Sequence, residues 1–185
     1  MVDDNQRPLL ANRATTRRER PVTGIEVLQA TLRQTQFVLN MLLEDLSDDD
    51  LLVRPVPDAN HIAWQLGHLI VSENRLIAGE IASASVPQLP AGFAENHSKD
   101  AAAKTGRDGF SSKAEYVSLF NEFRAATIAE VGKLSDADFK RPTKGQMARM
   151  CPTLADLLML VSNHTLLHGG QVSVVRRKLG KPVLF

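Results

Sequence analysis

Two histidines stand where a packed helix would ordinarily place leucine. Across Thr153–Gly180 apolar residues recur at three- and four-residue steps, at Leu154, Leu157, Val161, Val172, Val175 and Leu179. The same rhythm, carried through the middle of the stretch, lands on His164 and His168. Four residues apart on a helix, the two rings share one face about 6 Å apart. A buried imidazole needs a polar partner, because an unpaired one costs on the order of 1–3 kcal/mol. Ordinary hydrogen bonds meet that need in many cores, and a metal ion meets it for both rings at once. A catalytic divalent ion asks for a third protein donor and leaves positions open.

The third donor has to come from another helix, and His68 leads. It lies in a second helical stretch, from about Asn60 to Gly79. At about 100° per residue, Ile62, Leu66, Leu69, Glu73, Leu76 and Ile77 share one broad face there. His61, Trp64, His68, Ser72 and Arg75 gather beside it, so His68 falls at the margin of the stripe. His61 is an alternative, although its place in the first turn predicts an exposed end. Glu73 is a candidate carboxylate ligand or general base, with a salt bridge to Arg33, Arg75 or Arg124 as the plainer use. Gln171, one turn after His168, is expected to continue inward and to orient a substrate or make a core contact. Gly169 and Gly170 each cost a helix about 1 kcal/mol relative to alanine, which predicts close approach of a neighbour. His97 falls in an irregular loop and is expected to be solvated. Trp64 reads as a core plug. Cys151 has no basic neighbour in sequence to activate it.

Four long amphipathic helices must position these residues. Thr23 with Glu26 and Ser112 with Glu115 are capping boxes, and Thr153 with Asp156 is a shorter-armed version. The first helix carries its stripe from Ile25 to Leu46, and Ser47–Asp50 predicts one further short turn. The third presents Tyr116, Phe120, Phe123, Thr127 and Val131. Between the second and third, residues 81–111 lack a period and contain two prolines and three glycines. So long a connection is a crossover between bundle ends, or the wall of a pocket. No run alternates as a strand would. The fold expected is all-α: an antiparallel four-helix bundle with one long crossover connection between helices 2 and 3. Residues 1–22, with five arginines, read as a flexible tail, and 23–185 as the bundle domain.

Composition narrows the function classes. A net charge of +1, with no basic face in the folded part, gives no drive towards nucleic acid. No apolar run approaches the length of a membrane span, and the N-terminal stretch lacks the apolar core of a signal peptide. One cysteine permits neither an intrachain disulfide nor a cysteine zinc site. A cytoplasmic protein is the expectation.

The segments Asn60-His-Ile-Ala-Trp-Gln-Leu-Gly-His68-Leu-Ile70 and His164-Thr-Leu-Leu-His168-Gly-Gly-Gln171, followed by Arg176 and Leu179-Gly180, carry a family resemblance. Over residues 24–182 the chain resembles the DinB/YfiT-like superfamily of metal-dependent enzymes. The resemblance implies a four-helix bundle, frequently a homodimer. It also implies a divalent transition metal, nickel, zinc or iron, bound by His68, His164 and His168. Activities among such proteins include thiol-dependent transfer and isomerisation with bacillithiol, mycothiol or similar low-molecular-weight thiols, and hydrolase-like reactions. The expected function is thus a metal-dependent transferase or hydrolase acting on a small molecule. The alternative is a non-catalytic stress-response or interaction bundle with structural histidines.

Overall fold

A computed structural model describes residues 21–184, so the expected Arg-rich tail lies outside the described residues except for its last two. Among the described residues there are six α-helices and no strand. They are α1 (Gly24–Leu43), α2 (Ile62–Glu80), α3 (Phe93–Asn96), α4 (Lys113–Val131), α5 (Asp136–Phe139) and α6 (Leu154–Lys178). None is long and apolar enough to cross a membrane.

Local sequence explains where the long helices begin. The capping boxes Thr23/Glu26, Ser112/Glu115 and Thr153/Asp156 all close, each side chain bonding the other residue's backbone amide. Two boundaries differ from expectation. Helix α1 ends at Leu43, and the chain turns so that Leu46 still enters the core. Helix α2 is capped by His61 rather than started by Asn60: the His61 Nδ1 accepts from the Trp64 amide at 3.1 Å. The ring is only 1% exposed, so the predicted exposed end is instead a buried cap packed edge-on against Phe110.

Helix α1 packs on α4 and α6, and α2 packs on the same two. Lys113, at the start of α4, bonds the carbonyls of Leu43, Glu44 and Leu46, while Gln29 reaches the Ile128 carbonyl near its end. Those contacts make α1 and α4 antiparallel. Arg176, near the end of α6, donates to the Leu42 carbonyl and to Asp45, so α6 runs alongside α1 in the same direction. Gln65 near the start of α2 meets His168 in the second half of α6, which sets α2 antiparallel to α6 and parallel to α4. Two parallel helices that follow one another need a long connection, and residues 81–112 supply it.

That connection is anchored. Phe93, His97, Ala101 and Phe110 are buried in it. Arg54 holds it by donating to the carbonyls of Ala59, Ala102 and Lys104. His97, expected in solvent, is 2% exposed. Its Nδ1 bonds the Phe93 carbonyl and its Nε2 the Tyr116 hydroxyl, both at 2.7 Å. Its ring lies so close to α2 that a Cβ on Gly67 would sit 2.0 Å from His97 Cδ2. Gly67 therefore admits the crossover against α2, one residue before His68.

Candidate metal centre

His68 from α2 and His164 and His168 from α6 converge at the seam between those helices. One ligand nitrogen from each lies within 4.8 Å of the others. The Nε2 atoms of His164 and His168 are 3.1 Å apart. The His68 ring centroid is 5.1 Å from that of His164 and 5.4 Å from that of His168. His168 is buried, whereas His68 and His164 are partly exposed, so the cluster opens to solvent on their side.

Neighbouring side chains set the rings. The indole of Trp64 stacks on His68, centroids 4.8 Å apart and planes 8° from parallel, and its Nε1 donates to the Ser98 carbonyl at 2.9 Å. Trp64 is thus more than a core plug, because it orients His68 and ties the crossover beside it. Gln65 Oε1 lies 3.0 Å from His168 Nδ1, and Gln65 Nε2 donates to the Asn60 carbonyl at 2.8 Å. Nothing in the apolar periodicity of α2 marks Gln65. The spacing that could have found it is its place three residues before His68, almost one turn, facing α6.

Glu73 is claimed by another cluster. Arg124 of α4 is 0% exposed and forms a fork with both Glu73 oxygens at 2.8–3.2 Å. The remaining guanidinium hydrogens go to the Leu32 carbonyl, to Thr35 Oγ1 and to Thr165 Oγ1. One side chain therefore binds all three other long helices. Of the three arginines considered as partners for Glu73, the helix packing selects Arg124. Gln171, expected to point inward, is exposed on α6: it lies about 20° around the helix from half-exposed His164 and about 60° from buried His168, on the solvent side of the seam. Of the glycine pair only Gly169 is crowded, its Cβ position 3.3 Å from Leu42, while Gly170 is open. Cys151 is buried, and burial pushes its thiol pKa up, away from reactivity.

Electrostatics keep the triad neutral. Burial, reinforced by its two histidine neighbours, lowers His168 to about 3. Burial and then the charge of His164 bring His68 to about 4. Burial also lowers His164, with the Glu73 carboxylate acting in the opposite direction. At neutral pH each ring therefore offers a lone pair. Two donors sharing one ion at about 2.0–2.1 Å lie about 3 Å apart, which the His164–His168 pair matches. An all-imidazole set of this kind suits a divalent transition metal such as zinc, copper, iron or nickel.

Two solved structures share the fold at low identity. One, from Bacillus subtilis, is YfiT, described as a probable metal-dependent hydrolase with an unusual four-helix bundle topology. It is 17% identical at a TM-score of 0.63, over 88% of this chain and 93% of that one. The other is a conserved protein from Enterococcus faecalis, 14% identical at a TM-score of 0.65, over 87% of this chain and all of the other. No curated protein sequence matches. A model of the DinB superfamily matches residues 31–172, a span that takes in the second-helix histidine and both histidines of α6. The chain belongs to the DinB superfamily.

Proposed function

We propose that this chain is a metal-dependent enzyme in which His68, His164 and His168 hold a divalent transition ion, nickel, zinc or iron, and a small molecule is the substrate. The observation that carries this reading is the convergence of three neutral imidazoles, with ligand nitrogens within 4.8 Å of one another. A bound divalent ion lowers the pKa of a water or thiol ligand and so supplies a nucleophile at neutral pH. The protein's own part is to keep the rings unprotonated by burial, to aim His68 with Trp64, and to leave the His68–His164 side open. Glu73 belongs to the scaffold in this reading, since Arg124 occupies both of its oxygens. Exposed Gln171 remains on the solvent side as a substrate contact.

The reaction is a thiol-dependent transfer or a hydrolysis, the latter supported by the description of YfiT. A homodimer in the cytoplasm completes the reading. Exposed Val27 on α1 and Met159, Leu166 and Leu167 on α6 support self-association. Metal analysis of protein purified without an affinity tag tests the centre. About one equivalent of a transition metal is expected, and less than about a tenth, with no uptake on titration, sinks it. The loaded protein assayed with low-molecular-weight thiols and electrophiles, and separately with simple esters and amides, distinguishes transfer from hydrolysis.

A further inference from the structure

Neutral histidine has one ring N–H and one ring lone pair, and a metal takes the lone pair. Which nitrogen carries the proton is therefore part of the design of the site. At His168 the surroundings decide it. Gln65 Nε2 donates to the Asn60 carbonyl, which can only accept, so that amide cannot be turned round without losing the bond. The other end of the amide, Oε1, is then the atom 3.0 Å from His168 Nδ1, and an amide oxygen can only accept. His168 must supply the proton at Nδ1, which leaves its Nε2 bare and directed at His164 Nε2, 3.1 Å away.

We propose that Gln65 is a positioning residue that fixes His168 as the Nδ1–H tautomer, making it the preset ligand of the triad, whereas His164 is the ligand that changes tautomer on loading. The second half follows from the first. In chelator-treated protein the 3.1 Å contact between the two Nε2 atoms needs one proton, and His168 has committed its own to Gln65. His164 therefore donates from Nε2. To bind through that atom it must lose this proton to solvent and gain one at Nδ1, with no net change in charge. The inference rests on the metal-binding reading only for this second half, because the Gln65 bond exists with or without an ion.

Long-range proton–nitrogen NMR of labelled, chelator-treated protein near pH 7 reads both tautomers directly, and zinc is then added. His168 is expected as Nδ1–H throughout, and His164 as Nε2–H before zinc and Nδ1–H after. Gln65→Glu keeps the acceptor for His168 while losing the donor to Asn60, and Gln65→Leu removes both. Zinc affinity against a competing chelator should stay within about threefold in the first and fall about 10–100-fold in the second, the usual loss when a metal-bound histidine is deprived of its outer partner. His168 found as Nε2–H in the wild type overturns the proposal, as does wild-type zinc affinity in a folded Gln65→Leu protein. If Gln65→Leu does not fold, the wild-type spectrum still decides. His168 as Nδ1–H in protein that takes up no zinc supports the assignment to Gln65 and defeats the metal reading, and with it the role given to His164.

Discussion

Two polar clusters lie back to back inside this bundle, and adjacent residues of α6 divide between them. Thr165 joins the Arg124 cluster, and His164, one position earlier, joins the histidines. The Arg124 cluster is complete. Its guanidinium hydrogens have partners on three helices, and both Glu73 oxygens face the guanidinium. In the triad His168 bonds to His164 and to Gln65, His68 packs against both rings, and one ring nitrogen from each of the three lies within 4.8 Å of the others. Burial differs with the chemistry: the Arg124 cluster is enclosed, and the triad is half-exposed at His68 and His164. A buried polar group whose valences are met inside the protein is scaffold, and one whose lone pairs converge is waiting for something from outside.

Arg124→Met should separate the two most sharply. It strands Glu73 as a buried charge and is expected to cost about 3–5 kcal/mol in urea unfolding. The double variant Glu73→Leu/Arg124→Met should recover most of that loss, as expected for a scaffold pair; failure to recover would mean that Glu73 answers to the triad instead. The triad should behave in the opposite way. His164→Ala and His168→Ala are expected to remain folded but to lose the zinc-dependent gain in melting temperature, which at a hundredfold excess over Kd corresponds to about 2.7 kcal/mol. The same loss in His68→Ala would complete the set of three. Gly67→Ala probes the wall beside them. Its Cβ would collide with the His97 ring, and a loss of about 1–3 kcal/mol, with faster proteolysis between residues 81 and 112, should report the displaced crossover.

Acid should act most gradually. Folded His168 and His68 hold pKa values of about 3 and about 4, below the ordinary histidine value near 6.5. Above about 6.5 both are neutral folded or unfolded, and their full contribution to stability is present. As pH falls below that value the unfolded chain takes up protons that the folded one refuses. Stability should therefore decline from about 6.5 down to about 4 for His68 and about 3 for His168. Buried His61, also held at about 4 by desolvation, adds a slope of the same sign. His68→Asn should make the decline shallower in chelated protein, and an unchanged slope would assign it to His168, His61 and the other buried histidines.

What the sequence disclosed follows from how far each signal reaches. Capping boxes and apolar stripes are local, and the four long helices stand where Thr23, Ser112, Thr153 and the stripes put them. His164 and His168 were legible because a helix repeats at 3.6 residues, and His68 because it completes the pattern with them. Signals that depend on the packing of distant segments were harder to read. Arg124 sits among the inner residues of α4, but nothing in the order of residues says that Leu32, Thr35, Glu73 and Thr165 surround it. His97 looked like a loop residue in water, because the glycine that admits it is thirty positions earlier in another helix. Gln171 shows the limit of the periodicity itself: it shares the face of His164 to within about 20°, and that face is the half-exposed edge of the seam.

The parallel pairing of α1 with α6 bears on how the chain is made. Among the described residues, α1 packs against the last long helix, α6, and the carbonyl of Leu42 waits for Arg176, 134 residues downstream. Until α6 leaves the ribosome, α1 exposes the side of its stripe that includes Leu28 and Leu32, whose cluster is completed by Leu154, Leu157 and Leu158. Such late, long-range closure slows folding and leaves a nascent chain open to aggregation. Because α6 also brings two of the three histidines, the nascent chain cannot bring the triad together before α6 has joined the core.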